Sequence, residues 1–148
     1  MNSTRKVLLL LVLMLAACMT GCTSIPLGSV QDDIRAKSSI VRPDKAHIYV
    51  YRNESFGFAV PMTVAVDGRA SGRTVGQTYL MWEVEPGPHE ITSYAEDTSA
   101  VSLNAEPGKA YFIWQEVKLG LWKARSRLHH VDEETGRKFV ATCRLGQV

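Results

Sequence analysis

The chain has 148 residues, with 17 Lys+Arg against 15 Asp+Glu and a formal net charge of +2. Arg5 and Lys6 lie in an N-terminal leader, and without it bases and acids are equal in number, so the body has no global field with which to attract nucleic acid. Three cysteines, two of them at positions 18 and 22, do not make a disulfide framework, and the remaining length suits one domain with a core of its own.

Residues 1–21 read as a lipoprotein export signal. Arg5 and Lys6 form the positive region, Val7 to Leu15 is an unbroken apolar run too short to span a bilayer, and small residues lead into cysteine. Met19-Thr20-Gly21-Cys22 is followed by the polar Thr23-Ser24-Ile25-Pro26, which makes Cys22 the expected lipidated residue. The alternative is Cys18, after Leu15-Ala16-Ala17. Processing at Cys22 leaves Cys143 alone, whereas processing at Cys18 leaves Cys22 and Cys143 as a pair able to form a disulfide. Several acyl chains on one residue anchor stably. Neither Thr23 nor Met19 is the aspartate that, by resemblance to other lipoproteins of double-membraned bacteria, holds a protein in the inner membrane. The expectation is an outer-membrane lipid anchor facing the periplasm.

Residues 22–44 read as the lipidated cysteine and a tether, with one helical turn starting near Ser29 and Pro43 closing the segment. From there the pattern has period two. Ala46–Arg52, Val60–Val66, Thr78–Glu85, His89–Ala95, Ala100–Ala105, Lys109–Val117 and Trp122–Val131 are short runs rich in Val, Ile, Tyr and Trp. Asp67-Gly68 suits a type I′ hairpin, Pro86-Gly87 and Pro107-Gly108 suit tight turns, and Leu119-Gly120 centres a last hairpin. This predicts an all-β domain over 45–148, an antiparallel β-sandwich of seven to eight short strands. A short helix ends it within Asp132–Leu145, weakened by Gly136.

The run Ala46-His47-Ile48-Tyr49-Val50-Tyr51-Arg52, then Val64-Ala65-Val66-Asp67-Gly68, Pro86-Gly87 with His89, Pro107-Gly108-Lys109, Tyr111-Phe112 and Gln115-Glu116-Val117-Lys118, resembles the bacterial lipoprotein family catalogued as domain of unknown function 2846. Asp-Gly followed by Pro-Gly-x-His is also similar to PEGA-type β modules. The resemblance implies location and architecture and brings no activity.

Catalytic signatures fail residue by residue. His89-Glu90 starts like a zinc-protease helix, but Ser93 stands where the second histidine belongs. Gly72 to Thr78 has Gln77 in place of a phosphate-binding lysine. His129-His130 with Asp132 and Glu133 is the densest group of potential ligands, yet adjacent strand residues face opposite ways. No metal, cofactor or catalytic residue is assigned, His89 is expected to satisfy a turn, and Cys143 to be a small buried residue. One constellation stands out. With Leu119-Gly120 as a two-residue loop, Val117 faces Trp122, Glu116 faces Lys123, Trp114 faces Arg125 and Phe112 faces Arg127. Trp122 then joins Tyr111, Ile113, Val117, Ala124 and Leu128 in the core, while Phe112, Trp114, Lys123, Arg125 and Arg127 form an aromatic and basic face for an envelope protein or glycan. The alternatives are a solvated strand face and a face covered by the terminal helix. The functional expectation is a non-catalytic binding or scaffolding lipoprotein; the rivals are an envelope enzyme and a regulatory subunit or inhibitor of an envelope protein.

Overall fold

The computed structural model describes residues 25–148 apart from Ser39, Phe56 and Lys123. The signal segment with Cys18 and Cys22, and the Lys123 side chain, lie outside the described residues. Nine strands are described: β1 Ala46–Arg52, β2 Met62–Val66, β3 Ala70–Thr74, β4 Thr78–Val84, β5 Gly87–Tyr94, β6 Thr98–Ala105, β7 Ala110–Leu119, β8 Ala124–Val131 and β9 Arg144–Leu145. They form a β-sandwich of a five-stranded sheet, β8-β7-β1-β4-β9, and a four-stranded sheet, β3-β2-β5-β6. All seven expected runs are strands, and the terminal helix is present as α2, Glu133–Thr142. The antiparallel expectation needs one amendment: β1 pairs with β7, and β4 with β9, in parallel.

The sheets meet over Ile48, Val50, Leu80, Ile113 and Leu128 from one side and Val64, Val66 and Ile91 from the other. Every residue of β1 is buried. Its alternate residues Ile48 and Val50 enter this core, while Tyr49 and Tyr51 lie beneath helices on the sheet's outer face with Tyr79, Phe112 and Val140. A strand covered on both faces has no water-facing side to keep polar, which is why the run Ile48-Tyr49-Val50-Tyr51 is continuously apolar and aromatic.

The segment expected to be a spacer is docked. Ser29 caps helix α1, Val30–Ser38, by accepting from Asp32 N at 3.1 Å. The Asp33 carboxylate accepts from Tyr79 OH at 2.9 Å and from Leu145 N at 3.0 Å, and Tyr49 OH donates to Ala36 O at 2.7 Å. Burial acts to raise the Asp33 pKa, and the bonds from Lys37, Tyr79 and Leu145 outweigh it and hold the group below its ordinary value. Residues Pro26–Gly28 run antiparallel to the chain end, with Leu27 opposite Gly146. Ile25, the first described residue, is itself buried.

Asp67 and Gly68 both have positive φ, 53° and 66°, as the type I′ turn requires. The strand after that turn, β3, was not among the expected runs, because Ala-Ser-Gly-Arg-Thr carries no period-two signal. Gly72 within it lies where a Cβ would sit 3.0 Å from Leu80 and Val148 side-chain atoms.

Candidate functional site

The last hairpin departs most from its expected form. Glu116 pairs with Arg127, Val117 with Ser126, Lys118 with Arg125 and Leu119 with Ala124, so the turn comes after Leu119 and holds Gly120, Leu121 and Trp122, rather than being Leu119-Gly120. Relative to the expected register, β8 is displaced by four residues. An even displacement keeps every residue on its face, so Ile113, Val117 and Leu128 are buried as expected, while Tyr111 and Ala124, expected with them, are half-buried. Trp122 is not: it leaves the strand for the loop and is 91% exposed.

The expected aromatic and basic face is not an open surface. Phe112 is 2% exposed, stacked on Tyr49 with ring centroids 4.8 Å apart and roofed by α2 at Gly136. Trp114 is half-buried; its Nε1 donates to Glu54 Oε1 at 3.2 Å and its ring stacks on His129 at 5.1 Å. Arg125 reaches Glu96 instead of Trp114, through Nε at 3.2 Å and a second nitrogen at 3.1 Å. Arg127 is exposed. The terminal helix has covered the aromatic half of the face, because Tyr49, Tyr51 and Phe112 are too large an apolar surface to leave in water.

What the fold assembles instead is one end of the sandwich. The end of β1, the starts of β2 and β4, the β5–β6 turn and the β7–β8 hairpin all lie there, as the strand registers dictate. Six large apolar side chains at this end are exposed: Phe58, Val60, Tyr94, Leu119, Leu121 and Trp122. Leu119 and Leu121 are 80% and 81% exposed. The opposite end presents Asp67-Gly68-Arg69, Glu85-Pro86 and Glu106-Pro107-Gly108-Lys109, where exposed residues are mainly charged or turn-forming.

Inside, the apolar end is polar. Arg52, on the inward face of β1 with Ile48 and Val50, is 0% exposed and donates to Val60 O at 2.7 Å and Gly57 O at 2.8 Å, pinning the β1–β2 loop from within. Burial acts to lower its pKa and the nearby Glu54 opposes that. Beside it runs a buried chain across both sheets. Thr74 donates to Gln115 Oε1 at 2.6 Å, Gln115 Nε2 donates to Ser93 Oγ at 2.7 Å, and Ser93 shares a hydrogen bond with Ser126 at 2.6 Å. Glu54 accepts from Val117 N at 3.0 Å, supplying an acceptor beyond the last residue that pairs β7 with β1. The ordinary arrangement of apolar inside and polar outside is reversed here.

The hairpin tip is held by a single carboxylate. Glu96, in the β5–β6 turn, accepts from Leu121 N at 3.2 Å and Trp122 N at 2.9 Å while paired with Arg125. Two backbone donors that the turn leaves without strand partners are thereby satisfied, and the apolar side chains project outward on an ordered backbone. The residues that matter, Leu119, Leu121, Trp122 and Glu96, were missed because the loop was placed two residues early. The signal available in the sequence was Leu-Gly-Leu-Trp itself, three large apolar residues around a glycine.

Elsewhere the sequence-derived residues separate. His129 donates to Glu116 at 2.8 Å, and His130 contacts Ser102 O at 3.1 Å on the other face, as the strand geometry demands. His89 lies at the polar end between Asp67 Oδ2, 2.6 Å away, and Glu85 O, 2.7 Å away, the turn role expected of it. Cys143 caps α2, is 1% exposed, and burial pushes its thiol up to about 11, which leaves it protonated and unreactive at neutral pH. Among the described residues no group of three or more His, Cys, Asp or Glu is placed to hold a metal ion. No described helix is long and apolar enough to cross a membrane.

A family model described as a protein of unknown function, DUF2846, matches residues 42–126, from just before β1 into β8 and including the apolar hairpin tip. An uncharacterised protein of Haemophilus influenzae is 28% identical over 129 residues, an alignment covering 85% of this chain and 76% of that relative.

Proposed function

The chain belongs to DUF2846, a family of proteins of unknown function, and from that premise we propose that it is a non-catalytic binding or scaffolding module of the bacterial envelope that works through its apolar end. In this reading it is lipid-anchored at Cys22 in the outer membrane and faces the periplasm. The observation that carries the binding role is the reversal at that end, where Leu119, Leu121 and Trp122 are exposed on a backbone secured by Glu96 while Arg52 and Gln115 are buried. Exposing large apolar groups and burying polar ones both oppose folding stability, and such exceptions concentrate at working surfaces. The anchor rests on Gly21-Cys22-Thr23-Ser24 after a short apolar run.

Two measurements on the full-length chain in cells test the reading. Palmitate labelling is expected to survive Cys18→Ala and to vanish in Cys22→Ala; the converse moves the anchor to Cys18. In cells lacking their own copy, the double variant Leu121→Ser, Trp122→Ser is expected to lose function at normal abundance, and His89→Gln and His130→Gln to retain it. Loss through the histidines with an indifferent tip would favour the rival reading of an envelope enzyme and sink the binding role.

A further inference from the structure

We propose that residues 25–38 are a releasable strap, latched by Asp33, which opens as one unit from a sandwich that stays folded. The opening stands apart from the apolar end; its consequence, a longer reach from the membrane, rests on the lipid anchor of the reading above. The strap meets the domain almost wholly through polar groups. Of the described residues from Ile25 to Lys45, only Ile25 and Ala36 are buried, and Val30 and Ile34, the large apolar residues of α1, are 68% and 58% exposed. The helix is turned polar side in: Asp33 faces the sheet, while Val30 and Ile34, one helical turn apart, face away. The core between the sheets takes no residue from the strap, and the cluster beneath the helices takes only Ala36. Segments with so few buried apolar contacts open at a lower free energy than the fold that carries them. The family match, which starts at residue 42, likewise leaves the strap out.

Asp33 ties the parts of the strap into one unit. Its carboxylate accepts from Tyr79 OH of β4, Leu145 N of β9 and Lys37 Nζ of α1 itself, at 2.9, 3.0 and 2.8 Å. One residue thus joins the helix to two strands. Around it lie the bond from Tyr49 to Ala36 O and the backbone bonds from Gly28 N to Leu145 O and from Gln147 N to Pro26 O. A nine-residue helix is too short to stand alone in water, so once the carboxylate lets go α1 melts rather than swinging away intact. The donors left behind, Tyr49 OH, Tyr79 OH, Leu145 N and Gln147 N, face the strap and meet water when it lifts, so opening strands none of them in a dry interior. The residues from Ile25 to Lys45 then become linker, about 70 Å at full extension. A domain fixed to a membrane by its N-terminal side gains that reach while its apolar end keeps its structure. A partner held beyond the closed reach binds the open state alone and draws the equilibrium toward it.

Native-state hydrogen exchange on the mature chain tests the opening. The amides of Gly28, Leu145 and Gln147 report the strap, and those of Ile48, Tyr49 and Val50 in β1 report the sandwich. The strap amides are expected to share one protection, at least about a hundredfold weaker than that of β1, and Asp33→Ala to weaken it at least about tenfold further without changing β1. Protection equal to that of β1, three unrelated values, or a strap indifferent to Asp33→Ala would overturn the inference. So would a loss of β1 protection in the variant, which would make Asp33 part of the global fold. Lengthening is read by energy transfer between dyes on Gln31→Cys and Ser71→Cys, both exposed positions, in the lipidated chain: it should fall in Asp33→Ala and hold in Glu134→Ala. Unchanged transfer in Asp33→Ala also overturns the inference. Palmitate labelling separates the two claims: a chain that takes no label loses the reach and keeps the strap, whereas a labelled chain whose strap exchanges with β1 keeps the anchor and loses the strap.

Discussion

Gly136 is where α2 comes closest to the five-stranded sheet, and a single added methyl tests that packing. A Cβ at Gly136 would lie 2.2 Å from Phe112 Cγ and 2.3 Å from Phe112 Cβ. Both atoms are at the root of the side chain, so rotating the ring relieves neither contact, and the ring is already stacked on Tyr49. Two effects oppose each other in Gly136→Ala. Alanine in a helix interior is favoured over glycine by about 1 kcal/mol. Overpacking a close contact costs about 1–3 kcal/mol, and contacts this short lie at the upper end. The clash wins, for a net loss of about 2 kcal/mol. Urea denaturation of the mature chain followed by circular dichroism measures it, with Glu134→Ala on the exposed side of the same helix as a control expected within about 0.5 kcal/mol of the parent. A Gly136→Ala midpoint equal to or above the parent's would mean that the helix is not seated on Phe112, and the account of why the aromatic face is closed would fail.

Three further outcomes follow from other parts of the fold. Burial acts to lower the pKa of His89, but its contacts with the Glu85 carbonyl and the Asp67 carboxylate outweigh that and raise it above the ordinary 6.5. Burial likewise acts to raise Asp67 from 3.8, and the Glu90 N–H, His89 and Arg69 prevail and lower it. The His89 contribution is complete below its unfolded value and is lost as pH rises through its folded one; that of Asp67 is complete above its unfolded value and is lost as pH falls through its folded one. The stability difference between parent and His89→Gln should therefore be largest between pH 3.8 and 6.5 and shrink on the alkaline side, and a difference that stays the same from within that range into alkali would refute the pairing. Gly68→Val meets no atom within 4 Å but forces a β-branched residue to φ 66°, so it should cost more than about 1 kcal/mol in denaturation, purely from backbone conformation. Trp122→Ala should leave the melting temperature unchanged, whereas Trp114→Ala, losing its ring contact and its bond to Glu54, should cost about 2 kcal/mol; a larger loss at Trp122 than at Trp114 would restore the tighter hairpin register.

Local signals were legible wherever the cause was local. Asp67-Gly68 demands positive φ at two successive residues, and the turn is there; Ser29 offers a cap, and a helix starts after it. The seven apolar runs are strands because each carries enough β-branched and aromatic residues to fill one or both faces of a sheet. The errors have distant causes. Leu119-Gly120 suits a two-residue turn, but Glu96, more than twenty residues earlier, binds the backbone of Leu121 and Trp122 and stabilises the wider turn. The parallel pairing of β1 with β7 joins residues some sixty positions apart, and no short-range pattern announces it. Residues 25–38 have the composition of a spacer, yet Asp33 meets Tyr79 and Leu145 from remote parts of the chain. The aromatic face was read from parity, which survived the register change, while its accessibility depended on a helix whose docking required a glycine at 136.

The reversal at the apolar end also explains how the tip stays firm. A hairpin tip carrying two leucines and a tryptophan in water would gain by folding back over the mouth of the sandwich and burying them. At this end the mouth is occupied by Arg52, Gln115, Thr74, Ser93 and Ser126, which hydrogen-bond with one another or with loop carbonyls, Arg52 through both terminal nitrogens while its Nε is buried without a partner. An indole entering there would break hydrogen bonds between buried groups, and each buried polar group left unpaired costs about 1–3 kcal/mol. The polar interior thus removes the alternative state in which the tip is hidden, and Glu96 holds the state in which it is displayed. Exposure of Leu119, Leu121 and Trp122 follows from what lies beneath them, so a change at Gln115 or Arg52, far from any partner, is coupled to the display of the tip through the packing of this one end.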